Sequence, residues 1–587
     1  MPYFGRVKLY WCINCNVPVL GKKCGVCRGN TEKVEVTPPG DVRPALAGDI
    51  ELINETIKKH FNCELIPSDK VAVLNKAPGY DRFDEVIIDG RVQGVLKFNA
   101  EKMDFEFLPR VEGARRIWKN KGKKFVEISE SAGPYILNGA SILLPGVVSF
   151  DEDILQGDEV YIVWKGNVIG VGRSRMSALE AKEKKKGMFV KVRRYSHPSE
   201  ARELEGGQDW KTVLEANKYV VEAMEKEALE FIRRIAKRRE PKVVAFSGGK
   251  DSLATLLLVK KVIPDVKVVF TNTGIEFPEI VEYAERIVER LGLEFIKIDC
   301  GDRFWEGVEY FGPPGRDYRW CCKLIKLGPI ARLINEKFRE GCISFIGQRK
   351  FESEVRSKSS RVWRNPWILS QLAASPVQNW TALHIWLYIL MEGAEVNHLY
   401  EYGMERLGCW ACPGSDLAEI EILKRIHPDL WRRWESVLKK SGLSEKAINH
   451  GFWRWRNPGK AQREVAGRVG VAVTRFEYGS DGRFDFERTV NFARVLGEVK
   501  FTKGGFEVNG HFFNGDNCNK VIKSIAERAT HCFGCGVCLS QCKNNAIEIR
   551  DGKAWINDNC ISCGRCHRRC PIVRYGLEVR DERSGGP

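Results

Sequence analysis

Lys242-Val-Val-Ala-Phe-Ser-Gly-Gly-Lys-Asp-Ser-Leu253 is the stretch on which the reading of the chain turns. Residues 242–246 are a short apolar run, which reads as a buried strand, and LATLLLVKKVI (253–263) reads as a helix. A strand, a glycine-rich turn and a helix in that order aim backbone N–H groups and a helix N-terminus at one point, an arrangement suited to phosphate. The glycines let the backbone approach closely, and Lys250 adds a point charge. The string differs from GxxxxGK[ST], so it is not a Walker loop.

Ser247-Gly-Gly-Lys-Asp-Ser252 resembles the SGGxDS loop (PP-loop) of the ATP pyrophosphatase superfamily. Further segments are similar to phosphoadenylyl-sulfate (PAPS) reductases: VKVVFTNTGIEFPE (266–279), FIGQRKFES (345–353) with Arg356 and Arg361 downstream, NPW (365–367) and PVQNWTALHIW (376–386). The likeness spans 241–415. It implies a doubly wound parallel sheet and an adenine nucleotide substrate, either ATP or PAPS or adenylyl sulfate (APS). On that resemblance Ser247, Gly248, Gly249, Lys250, Asp251 and Ser252 would hold phosphates, and Thr273 and Gly274 the adenosine. Lys250, Arg349, Arg356 and Arg361 would act on the anionic group being transformed.

Twenty cysteines in a long chain at short spacings point to metal ligation rather than disulfides. Cys12-x-x-Cys15 and Cys24-x-x-Cys27 supply four thiolates for one tetrahedral ion, a zinc ribbon with no open position. Cys321-Cys322 with Cys409-x-x-Cys412 resembles the [4Fe–4S] site of assimilatory adenylyl-sulfate reductases. Cys532-x2-Cys535-x2-Cys538-x3-Cys542 and Cys560-x2-Cys563-x2-Cys566-x3-Cys570-Pro571 carry the spacing of bacterial two-cluster ferredoxins, in which the fourth cysteine of each run serves the other cluster. The expected cofactors are therefore three [4Fe–4S] clusters and one zinc. Cys63, Cys300, Cys342 and Cys518 are left over, and the ECGxH-type nucleophile of assimilatory reductases does not occur.

Residues 123–196 are short alternating strands with glycine turns, a small β-barrel. LLPGV, Gly157-Asp-Glu-Val160, VIGVGR and Gly187 make it similar to the PUA domain, which implies RNA, tRNA included, as a partner. The chain thus reads as a multidomain α/β protein: zinc ribbon (1–45), an α+β segment with no legible chemistry (46–122), PUA-like barrel (123–196), linker helix (197–240), nucleotide domain (241–415), a helical and α+β connecting region (416–525) and a bacterial-type ferredoxin domain (526–580).

Ninety-four basic against 77 acidic residues, a net charge of +17, favour polyanionic partners. No apolar run approaches the length of a bilayer span, and the N-terminus lacks an apolar signal core, so no membrane association and a cytoplasmic location are expected. Two enzymatic readings follow. One is a sulfonucleotide reductase that makes sulfite with electrons from the fused ferredoxin and an external donor. The other is an RNA sulfurtransferase that adenylates a base and then installs sulfur. A third, non-catalytic reading is an RNA-binding electron-transfer scaffold.

Overall fold

The computed structural model describes residues 9–206, 209–338, 340–472, 484–514 and 520–576. Its central sheet has six strands in the order Phe295–Asp299, Lys267–Asn272, Lys242–Ala245, Cys342–Ile346, Ile368–Ala374 and Val362–Asn365. All pairings are parallel except the last, where Val362–Asn365 runs antiparallel at the edge. Strands such as KVVA and CISFI are nearly continuous apolar runs because a parallel sheet is covered on both faces. Strand order reverses between Lys242–Ala245 and Cys342–Ile346. At such a switch point the connections leave in opposite directions and open a crevice at the carboxyl ends of the strands.

Two units stand N-terminal to this sheet, antiparallel throughout except for one parallel pairing in the second, Phe125–Ile128 with Glu159–Trp164. Val42–Pro44, Val73–Lys76, Phe83–Ile88, Arg91–Asn99 and Asp104–Pro109 form a five-stranded meander, and 125–195 form the six-stranded PUA sheet. They share one core, in which Tyr161, Val163, Val168 and Val171 of the PUA unit pack with Leu74, Val86 and Phe107 of the meander.

Three of the boundaries drawn from sequence need correction. The ribbon's sheet ends at Val34, and Val42–Pro44 pairs with Val73–Lys76, so residues 42–45 belong to the meander. The linker helix expected over 197–240 is confined to Trp210–Ala236 and is packed along its length. Its buried Asn217 donates to the Pro18 carbonyl (2.9 Å) and accepts from the Leu20 N–H (2.7 Å), so the helix is a joint between ribbon and sheet. The connecting region divides: helices Leu417–Ile426 and Pro428–Lys440 join the core of the nucleotide domain, whereas Phe492, Phe506, Phe513 and Ile525 form a core with the C-terminal cysteine unit. The reason is composition. Each half carries its own apolar face, and each face closes against the nearer neighbour. Cys518 and residues 577–580 of the expected ferredoxin unit lie outside the described residues.

The Trp- and Arg-rich helices (430–434 and 452–456) are packing elements: Trp431, Trp434 and Trp453 are buried, and Trp434 meets Trp453 edge-on at 5.4 Å. Among the described residues no helix is long and apolar enough to cross a membrane.

Candidate active site

A cleft of about 550 Å³ opens at the switch point, a size suited to a small-molecule ligand. Ser247, Gly249, Lys250, Asp251 and Ser252 line one wall. Gly248 stands behind them at φ +73°, where a Cβ would come within 2.9 Å of Ile280, so only glycine makes this turn without strain. Ser252 Oγ accepts from the Ser247 N–H (3.2 Å) and donates to the Gly249 carbonyl (2.8 Å), which fixes the loop on the N-terminus of helix Lys250–Val262.

Arg349 enters from the end of strand Cys342–Ile346 and is almost fully buried. It bonds the Asp251 carboxylate through Nε, and its Nη1 donates to both oxygens of Asp41 at 2.8 and 2.9 Å. Asp41 also accepts from the Ala382 N–H at 2.7 Å, capping a second helix of the nucleotide domain. Burial disfavours ionisation of Asp251, but Arg349 and Lys250 overcome it and hold the carboxyl well below the usual carboxylate range. His384, on that second helix, is pushed down to about 4 by burial and by Arg349, so it is neutral at pH 7.

The opposite wall comes from the meander. Lys76 pairs with Glu405 (2.7 Å) and Asp416 (3.3 Å), and Asp81 caps helix Leu417–Ile426 by accepting from the Leu417 (2.7 Å) and Ala418 (3.0 Å) N–H groups. Arg82 and Arg43 both bind Asp49 at 2.6 Å, and Arg82 reaches the Gly403 carbonyl at 3.1 Å. The segment without legible chemistry therefore supplies residues 76–81 to the cleft wall. No local sequence signal marks Asp41, Lys76 or Asp81, because their partners lie hundreds of residues away. Arg316 and Arg406, also missed, line the same cleft. Arg316 pairs with Asp416 (3.1 Å), whereas Arg406 is exposed to the cleft and makes no ion pair among the described residues.

The structure does not bring every expected residue here. Arg356 lines the cleft and is paired with Glu352. Arg361 lies elsewhere: it binds Glu227 and the Pro376 carbonyl (2.6 Å), and stacks on Phe231 at 3.9 Å. Thr273 and Gly274 stand outside the cleft lining as well; the Thr273 hydroxyl donates to Glu276 (3.0 Å) and lies 3.6 Å from Cys409 Sγ. The physical reason is that the strand preceding Thr273 ends beside the cysteine cavity, one strand away from the switch point.

That cavity is lined by Cys321, Cys322, Cys409 and Cys412, with Arg319 and Lys326 as its cations. Cys322–Leu327 forms a π-helical turn, an irregularity frequent at functional sites. The segments holding the cysteines also run along the cleft: Arg316 precedes Cys321, and Arg406 and Asp416 bracket Cys409 and Cys412. Two further cavities occupy the C-terminal unit. Cys532, Cys535, Cys538 and Cys570 line one, and Cys542, Cys560, Cys563 and Cys566 the other. Backbone N–H groups point at their sulfurs, Ala554 to Cys532 (3.3 Å) and Ala546 to Cys542 (3.2 Å), donors that stabilise thiolate ligands. Four thiols round a space lined otherwise mainly by apolar side chains, backbone and a few cations (Arg319 and Lys326, Arg528, Lys543 and Arg565) fit an iron–sulfur cluster in each of the three cavities.

Cys12, Cys15, Cys24 and Cys27 differ in scale: their sulfurs all lie within 4.8 Å of one another, the compactness that one tetrahedral ion requires. Gly25 of this knuckle donates to the Ala216 carbonyl at 2.8 Å, so the ribbon is fastened to helix Trp210–Ala236. Cys12→Ser is expected to lose one metal ion per chain and to open segment 9–34 to protease, read by metal analysis and limited proteolysis. Unchanged protease resistance would mean that the apolar packing of Leu9, Trp11 and Val17 holds the ribbon alone.

The three spare cysteines among the described residues stay apart from the cleft. Cys300 and Cys342 are buried, and Cys63, half-buried, lies beside Gly122. Burial pushes the Cys300 thiol up to about 11, and it donates to the Ile325 carbonyl at 3.2 Å.

Comparison with known proteins matches residues 241–415 to the phosphoadenosine phosphosulfate reductase domain and 124–196 to the PUA domain. An uncharacterized protein of Methanocaldococcus jannaschii is 38% identical over 471 residues, covering 78% of this chain and 98% of that protein. A second from the same organism is 30% identical over 434 residues, covering 71% and 95%. An adenosine 5′-phosphosulfate reductase of Halalkalibacterium halodurans is 30% identical over 200 residues, 32% of this chain and 80% of that enzyme.

Proposed function

The chain belongs to the phosphoadenosine phosphosulfate reductase family, and on that premise we propose that it reduces an adenylylated sulfate, APS or PAPS, to sulfite. The observation that carries the reading is the shared wall between nucleotide cleft and cysteine cavity, in which segments 316–322 and 406–416 contribute to both. A nucleotide whose phosphates rest on Ser247–Ser252 would extend its sulfate along this wall. Arg406 offers that anion a guanidinium that makes no ion pair among the described residues, with Glu419, Glu352 and Asp416 acting on it from further off, and Lys326 stands at the far end beside Glu276 (3.3 Å). A [4Fe–4S] cluster held by Cys321, Cys322, Cys409 and Cys412 would supply one-electron reduction at that end. Two electrons cleave the bond between sulfur and the bridging phosphate oxygen, releasing sulfite and the adenine nucleotide. The arginines orient the leaving phosphate and offset its charge. Arg361 is dropped from the catalytic set; Lys250, Arg349 and Arg356 are assigned to binding and positioning.

A second reading, ATP-dependent sulfuration of RNA, is favoured by the PUA match and by the intact Ser247–Ser252 loop. The test is anaerobic: cluster-loaded protein with reduced viologen and APS or PAPS, assayed for sulfite, beside a tube with ATP, sulfide and tRNA, assayed for AMP and thiolated nucleosides. Sulfite release is the expected result. AMP release that requires tRNA, with no sulfite in the first tube, would replace the reductase by the second reading.

A further inference from the structure

The two cysteine cavities of the C-terminal unit differ in what covers them. The inner one, with Cys532, Cys535, Cys538 and Cys570, is closed by the nucleotide domain: Leu324 lines it, and Gly328 approaches so closely that a Cβ would come within 2.8 Å of the Cys535 Cβ. Leu324 lies between Cys322 and Ile325, which line the neighbouring cavity of the nucleotide domain. Phe304, Trp320, Phe311 and Phe533 stack in series from one cavity to the other, at centroid distances of 5.8, 5.0 and 5.8 Å. Ser540 and Gln541 fasten the unit by donating to the Trp367 carbonyl at 2.9 and 3.2 Å.

The outer cavity, about 210 Å³ and lined by Cys542, Cys560, Cys563 and Cys566, opens to solvent. Cys563 is exposed, and Ile561 beside it is 68% exposed. Its rim is cationic. Lys543 and Arg565 are exposed and make no ion pair among the described residues, and Arg568 is exposed next to them. Residues 531–576 carry seven Lys and Arg against three Asp and Glu, and Lys543, Arg565 and Arg568 are the exposed cations at this rim, so the charge at the rim is positive.

We propose that the outer cavity is the electron inlet of the molecule and that its basic rim docks an acidic one-electron carrier protein. The exposed Ile561 gives the contact a small apolar centre, and the unpaired Lys543 and Arg565 steer the acidic partner towards it. The step is a single electron: the reduced carrier is oxidised by one, and the outer cluster is reduced by one, with no bond made or broken. From there the inner cavity and the Leu324 segment lead to Cys321 and Cys322. This rests on the iron–sulfur part of the proposed function and is independent of the nucleotide's identity.

The test uses full-length, cluster-loaded protein and a reduced acidic flavodoxin as probe, with stopped-flow recording of iron–sulfur bleaching. The second-order rate is expected to fall steeply with ionic strength and to fall about tenfold in Lys543→Glu/Arg565→Glu, because rim charges act on association. Iron content and bleaching by dithionite should be the same in both proteins. A rate indifferent to salt and to the two substitutions would overturn the inlet. A dimer of this chain that the substitutions dissolve would also overturn it, since a second copy would then cover the face. Absence of iron, or of dithionite bleaching, would instead sink the cluster reading on which the inlet rests.

Discussion

Cys321→Ser is expected to remove about four iron atoms per chain and to abolish sulfite formation while nucleotide binding persists. Cys321 is buried at the start of the π-helical turn and faces Cys409 and Cys412 across one cavity, so no other side chain can reach in to replace it. A serine hydroxyl is too hard a donor for an iron–sulfide core. The Ser247–Ser252 loop stands on a different strand end and keeps its own hydrogen bonds, hence the retained binding. Cys300→Ser is the control, a buried thiol a few residues of space away that lines neither cavity nor cleft. Iron analysis and nucleotide titration of both variants decide the matter. A full iron complement in Cys321→Ser would take the cluster away from these four cysteines.

Arg349→Gln should weaken nucleotide binding roughly 100-fold, the equivalent of about 3 kcal/mol, the lower range for breaking a buried ion pair. One guanidinium here serves two carboxylates from opposite sides of the cleft, Asp41 of the N-terminal unit and Asp251 of the phosphate loop. Removing it leaves two half-buried carboxylates, Asp41 and Asp251, without the cation they share, and unlatches the meander wall from the sheet. Arg349→Lys is expected to rescue little, since the guanidinium meets Asp251 and Asp41 through separate nitrogens, Nε and Nη1, and an ammonium offers only one. The variant should also change the response to acid. A carboxyl held low in the folded protein contributes stability that is complete above its unfolded value and is lost as pH falls through its folded value. With Arg349 gone, Lys250 alone holds Asp251 down, so loss of binding on acidification should begin at a higher pH than in the parent. Binding isotherms across pH 3–7 measure this; superimposable profiles would assign Arg349 no electrostatic role.

The parallel sheet, the phosphate loop and the grouping of cysteines into quartets were legible in the chain itself. Each rests on local grammar: an apolar run before a glycine turn, or thiols at two- and three-residue spacings that bring ligands to one side of a turn. The PUA barrel and the nucleotide domain were readable for the same reason, as contiguous segments with their own cores. Arg361 and Thr273 show where that grammar stops. Both lie in segments of the right kind, yet one turns its guanidinium to Glu227 on helix Trp210–Ala236 and the other rests against Cys409. Side-chain direction at the end of a strand depends on what the neighbouring elements leave open, which nearby sequence does not record.

The second wall of the cleft was invisible for a related cause. Asp41 finds Arg349 and Lys76 finds Glu405 across more than 300 residues of chain, and a lone Asp or Lys in a turn carries no mark of a distant partner. The covering of the two C-terminal cavities is likewise a tertiary fact. The spacing of eight cysteines is nearly symmetric, and only the docking of Gly328 and Leu324 on one of them makes it the inner site and leaves the other to solvent. The grouping of cysteines follows from covalent spacing and so was written in the sequence; which surfaces meet, and therefore which group is covered and which is reached, follows from long-range packing and was decided only by the folded chain.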